Sequence, residues 1–228
     1  MEDLKNVFAG AVLMDTAAFQ LLAERFPQLT FPGKVKLQSA NGGSRADGKN
    51  EAYECFEGNR FVSDFRTVLF PQTPDVRTYS SFTHEPEGAG ICTIPTEFGG
   101  NVVLCQYLNG LMWNGYRRKT ILNALDSVIP GGMVVRLMTN GLALDVLARK
   151  DDRTGKTAGA FLLNLSIGET PDLELAIRNP AFDEYELLLP KQEPVKLIPV
   201  SDSGEEKRFI IPGLTAWQPA LIRGKTQI

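Results

Sequence analysis

Gly10-Ala11-Val12-Leu13-Met14-Asp15-Thr16-Ala17-Ala18-Phe19-Gln20-Leu21-Leu22-Ala23-Glu24-Arg25-Phe26 sets the reading of the first half of the chain. Ala11 to Met14 is a compact apolar run suited to a buried strand. Asp15 or Thr16 then offers a side-chain oxygen able to accept from the amides of a first helical turn. Ala18, Phe19, Leu22, Ala23 and Phe26 recur at helical spacing, and Pro27 cannot continue a helix. A strand that feeds directly into an amphipathic helix is the unit of an α/β sheet.

Upstream, Asp3 to Ala9 reads as one or two helical turns ending at Gly10, a piece that looks cut from a longer element. Downstream, from Phe31 to about Gln106, the helical period disappears. Short runs of β character replace it: Val35 to Leu37, Ala52 to Phe56, Arg66 to Phe70, Val76 to Tyr79 and Asn101 to Tyr107. Asn41 to Gly48 is the clearest loop. Ile121, Leu122, Ala124, Leu125, Val128 and Ile129 predict a second packed helix, closed by Pro130-Gly131-Gly132.

Everything after Met133 reads as strand: Met133 to Thr139, Leu142 to Ala148, Gly159 to Leu165, Leu173 to Ile177, Tyr185 to Leu189, Val195 to Val200, Arg208 to Ile211 and Ala216 to Ile222. Asp151 to Gly155 supplies turn chemistry between two apolar runs. Leu173, Leu175 and Ile177 alternate with Glu174, Ala176 and Arg178, which suits one buried and one wet face. The expectation is therefore an incomplete, β-rich α/β sheet over residues 1–131, followed by an antiparallel β-sandwich over 132–228.

The composition is that of a globular chain: 228 residues, 43% hydrophobic, with a formal net charge of −3. There is no basic excess to neutralise nucleic-acid phosphates or to bind anionic lipid, so neither is an expected partner. No apolar run approaches the roughly 18–20 residues that span a bilayer. Met1-Glu2-Asp3-Leu4-Lys5 also lacks the order of a secretory signal. The chain reads as soluble, with nothing to specify its compartment.

Most familiar catalytic arrangements fail on residue type. The three cysteines, Cys55, Cys92 and Cys105, are widely spaced and form no C-x-x-C pair. His84 is the one histidine, in a stretch punctuated by Pro86 and Gly88, so a zinc ligand set is not expected. The strand-turn-helix nucleophile pattern G-x-S-x-G is absent, and Gly90-Ile91-Cys92-Thr93-Ile94 lacks its second glycine. A Cys92–His84 dyad competes there with a simple buried thiol. No phosphate-cradling loop appears, and Gly42-Gly43 and Gly99-Gly100 read as turn glycines. No cofactor is expected. Glycoside hydrolysis needs two opposed carboxylates. Glu85 with Glu87, Glu54 with Glu57, and Asp183 with Glu184 read as surface acids, and Glu97 has no identifiable partner.

The most suggestive cluster runs from Tyr107 to Lys119, read as a loop between a strand and the second helix. Tyr107, Asn109, Trp113, Asn114, Tyr116, Arg117 and Arg118 are the candidate binding residues, because aromatic rings beside Asn and Arg can stack on a sugar and bond its hydroxyls. Packing of Trp113 and Tyr116 onto another part of the protein is the alternative. Arg117, Arg118 and Lys119 lie where cations oppose a helix dipole, so an acidic group, a neighbouring domain or a ligand is expected opposite them.

Gly10 to Phe26 resembles the strand-helix segment in the amidotransferase-like domain of large bacterial glycoside hydrolases of the β-galactosidase type. Gly99 to Leu104, the Trp113 loop and Tyr116 to Leu125 are similar to the end of that domain. The β-rich segment containing Phe161-Leu162-Leu163-Asn164-Leu165-Ser166 resembles the small sandwich that follows it. The resemblance implies a flavodoxin-like, amidotransferase-like sheet over 1–131, truncated at its N-terminus, with the catalytic carboxylates on a barrel that precedes these domains. It carries no catalytic residue onto this chain. It implies an accessory region whose partners are that barrel, a carbohydrate and other copies of itself. A carbohydrate-binding module using the 107–119 loop is the second reading, and a thiol enzyme using Cys92 the third.

Overall fold

The structure, a computed structural model, describes residues 2–39, 53–56, 59–62, 67–82, 87–106, 115–139 and 144–225. The chain divides into two compact units, Met1–Gly132 and Met133–Ile228. The first contains α1 (Glu2–Phe8), β1 (Ala11–Asp15), α2 (Thr16–Arg25), a 3-10 helix (Phe31–Lys34), β2 (Val35–Ser39), β3 (Tyr53–Phe56), β4 (Asn59–Val62), β5 (Thr67–Pro71), β6 (Arg77–Thr78), β7 (Ser81–Phe82), β8 (Ile91–Pro95), β9 (Asn101–Cys105) and α3 (Gly115–Val128).

The expected α/β sheet is not what these strands build. The principal sheet has the order β1-β9-β8-β6, and only β1 and β9 run parallel; β9 with β8 and β8 with β6 are antiparallel. Two further antiparallel sheets, β2-β5 and β4-β3-β7, complete the unit. Among the described residues strand outweighs helix, and no flavodoxin-like parallel sheet is present. A parallel sheet needs a crossover after each strand. Here a tight turn joins β8 to β9 instead: Gly99 takes a φ of +88°, and the Thr96 amide donates to Gly100 O at 2.9 Å.

The local strand-helix unit nevertheless forms where expected. Asp15 is the N-cap of α2, its Oδ1 accepting from the Ala18 amide at 2.9 Å. The helix ends at Arg25, with Phe26 capping and Pro27 next. Strand periodicity then sorts the principal sheet between two cores. Val102, Leu104, Cys92 and Ile94 face Phe8, Phe19 and Phe31, while Val103, Cys105 and Ile91 face Ile121 and Ala124 of α3. Both faces of β8 and β9 are thus covered by apolar side chains, each such burial stabilising the unit by about 1.5–3 kcal/mol for the larger residues. β8 was missed in the sequence because it is short, is buried on both faces and shows no apolar-polar alternation.

The second unit contains β10 (Val135–Leu137), β11 (Leu144–Lys150), β12 (Thr157–Asn164), β13 (Leu173–Arg178), β14 (Glu184–Leu188), β15 (Val195–Leu197), β16 (Ser201–Asp202), β17 (Glu206–Ile211) and β18 (Pro219–Lys225). They form two antiparallel sheets, β10-β13-β17-β16 and β11-β12-β18-β14-β15. One apolar cluster draws Leu173, Leu175, Ile177 and Phe209 from the first sheet and Ala160, Leu162, Tyr185 and Ile222 from the second. Ala176, expected on the wet face of β13, is buried as well. Tyr185 satisfies its hydroxyl on Thr157 O at 2.7 Å, so its ring can pack against Phe209 without an orphaned donor. The strand expected from Ala216 begins only at Pro219.

Candidate functional site

At the carboxyl ends of β1 and β9, the parallel pair of the principal sheet, the side chains of Thr16, Gln106 and Arg117 come together. Gln106, the residue after β9, is buried. Its backbone oxygen accepts from Thr16 Oγ1 at 2.7 Å, and its amide donates to Gly90 O at 3.1 Å. Its side chain works in both directions, Nε2 donating to Thr67 O at 2.5 Å and Oε1 accepting from Arg117 Nη2 at 3.1 Å. One carboxamide therefore ties the start of β5 to α3, while its backbone ties α2 to the residue before β8.

Arg117 is only 3% exposed. The stretch 107–119, expected as loop, is helical from Gly115 onward, and Arg117, Thr120, Ile121 and Ala124 occupy the inward stripe of α3. A search for apolar periodicity cannot see an arginine on such a stripe. One partner of its guanidinium is the neutral amide of Gln106. Arg118 lies beside it on α3 and is half-buried. Tyr107, Asn109, Trp113 and Asn114 lie outside the described residues, as does the side chain of Tyr116, whose backbone belongs to α3.

Two other candidate groups are structural. Cys92 is fully buried on β8; desolvation, reinforced by Cys105, pushes its thiol up to about 12. A thiol held there is not a nucleophile near neutral pH. His84, its suggested partner, lies outside the described residues. Glu97 does have partners: Oε1 accepts from the Thr30 amide at 2.9 Å and Oε2 from the Phe31 amide at 3.2 Å. It closes the start of the 3-10 helix from across the unit. Burial alone would raise its pKa, but the hydrogen bonds from Thr30, its own amide and Phe31 together bring it below the ordinary carboxylate value. Among the described residues, no cluster of three or more His, Cys, Asp or Glu is placed to hold a metal ion.

The second unit holds an aromatic residue that sequence reasoning passed over. Trp217 is 61% exposed and takes a φ of +59°. It is the third residue of a turn closed by the Gln218 amide on Thr215 O at 3.1 Å. Glycine or asparagine is favoured at a positive-φ turn position, and a bulky side chain there costs on the order of 1–2 kcal/mol. Pro212-Gly213 and Pro219 bracket the segment and were the available signal that it was turn rather than strand.

Comparison with protein-family models finds no match, and comparison with curated protein sequences finds none either. In structure the chain is similar to alpha-L-fucosidase isoenzyme 2 from Paenibacillus thiaminolyticus, at 10% identity with a TM-score of 0.47. The likeness covers 85% of this chain and 34% of that one, so the chain spans about a third of the fucosidase's length.

Proposed function

We propose that this chain is a non-catalytic accessory region of a carbohydrate-processing protein, supporting its assembly or the rim of a carbohydrate active site built elsewhere. The observation that carries the reading is the Gln106 node. At the carboxyl ends of β1 and β9, the polar side chains of Thr16, Gln106 and Arg117 are engaged in joining α2, β5 and α3. The burial of Cys92 and the capping role of Glu97 point the same way. The carbohydrate part of the reading rests on the resemblance of Gly10 to Phe26, Tyr116 to Leu125 and Phe161 to Ser166 to the β-galactosidase type, which also makes a catalytic barrel the natural partner.

Assays of the purified chain with aryl glycosides test it. No turnover is expected. Hydrolysis that disappears in Glu97→Gln or Glu85→Gln would show a catalytic carboxylate in this chain and overturn the proposal.

A further inference from the structure

The turn at Thr215–Gln218 is rigid, strained and directed outward, a combination that folding alone does not call for. Asn164, fully buried at the end of β12, shares its two Nδ2 hydrogens among Leu214 O at 2.9 Å, Thr215 O at 2.9 Å and Gly168 O at 2.8 Å. The Thr170 and Leu214 segments are cross-linked by Thr170 N–H to Leu214 O and by Leu214 N–H to Thr170 Oγ1, each at 2.9 Å. A turn held this firmly could carry glycine at its positive-φ position without loss. It carries tryptophan there and leaves the indole in water.

The residue beside the ring is oriented as well. Gln218 Oε1 accepts from the Thr215 amide at 2.8 Å and from Thr215 Oγ1 at 2.9 Å. A backbone N–H can bond only the amide oxygen, so this contact decides which way the carboxamide faces. Its Nε2 hydrogens are turned away from Thr215 and make no hydrogen bond among the described residues. An exposed flat ring on one residue and an oriented amide on the next suit one pyranose: the apolar C–H face would lie on the indole and a ring hydroxyl would accept from the amide. Size separates this from a protein-docking patch. Even with Ile167, exposed on the loop that Asn164 ties to this turn, the two apolar side chains present well under the roughly 800 Å² that one side of a stable protein interface buries.

We propose that Trp217 and Gln218 form a sugar-binding subsite in the second unit, taking a single pyranose residue of an oligosaccharide. The choice of ligand class rests on the carbohydrate reading above; the rigidity and exposure of the site do not.

The experiment uses the full chain carrying Trp113→Phe, so that indole emission reports Trp217 alone. Cellotetraose, β-1,4-galactotetraose and chitotetraose are titrated up to about 10 mM, with calorimetry in parallel. At least one should shift the emission to the blue and bind. Trp217→Gly should abolish the calorimetric signal while leaving Tm unchanged or raised, because glycine relieves the positive φ. Gln218→Glu keeps the oxygen that accepts from Thr215 but removes the donors, and should weaken binding at least about tenfold. Absence of binding by all three sugars overturns the proposal, as does binding that survives Trp217→Gly. Hydrolysis by the chain would sink the accessory reading and leave this subsite standing; loss of binding with no hydrolysis would do the reverse.

Discussion

The guanidinium Nη2 of Arg117 donates to Oε1 of Gln106 at 3.1 Å, and both side chains are buried. This pairing binds the first turns of α3 to the end of β9, and through Gln106 Nε2 to Thr67 of β5. Removing the amide strips a buried donor from Thr67 O and a buried acceptor from Arg117. Gln106→Ala should therefore cost about 1–3 kcal/mol in urea denaturation, and a double-mutant cycle with Arg117→Met should show coupling above about 0.5 kcal/mol. Additive losses would mean the pair does not act as a unit.

Close backbone approach gives a second prediction. A Cβ on Gly100 would lie 2.2 Å from Gly10 O and 2.4 Å from Phe8 O, whereas one on Gly33 meets nothing within 4 Å. Gly100→Ala should destabilise by about 1–3 kcal/mol or more, because the contacts are backbone atoms that cannot turn aside. Gly33→Ala is the control and should change stability little. Equal midpoints for the two variants in thermal melts would refute the packing seen between α1 and the β8–β9 turn.

The thiol of Cys92 should be inert in the folded protein. Burial holds its pKa at about 12, so essentially no thiolate exists at pH 8. Peptide mapping after iodoacetamide treatment should find Cys92 unmodified under native conditions and fully modified in urea. Rapid native labelling would contradict the placement of β8 in the core.

Glu97 gives an acid-side signature. Its pKa is depressed in the folded state, so its contribution is fully present above the unfolded-state pKa and is lost as pH falls through the folded value. Glu97→Gln should flatten that part of the stability curve below the ordinary carboxylate range and leave the neutral and alkaline limbs parallel to wild type. A variant whose acid limb superimposes on wild type would show that the Thr30 and Phe31 contacts do not persist in solution.

Local elements were legible wherever one signal dominated. The α2 cap could be placed at Asp15 or Thr16, because a short polar oxygen ahead of a helical apolar stripe has few other uses, and the structure assigns it to Asp15. The Asp151 to Gly155 turn was legible for a similar reason: Asp151 Oδ1 accepts from the Arg153 and Thr154 amides, and Gly155 takes a φ of +67°. The burial of Arg117 was not legible, because a charge counts as outward in any periodicity argument. Trp217 misled in the opposite way, since an aromatic beside an apolar run reads as strand.

From its sequence alone this protein is determined to have an Ala11 strand capped into the Thr16 helix, a helix ending near Pro130, and a run of strands after Met133. These depend on contacts between near neighbours, whose spacing and chemistry are written in order along the chain. Sheet direction, the mixed order β1-β9-β8-β6, the burial of Arg117 against Gln106 and the outward set of Trp217 were decided only in three dimensions. Each depends on residues far apart in sequence, or on a backbone angle fixed by them, and a pairing partner tens of residues away leaves no periodic trace in the segment it pairs with.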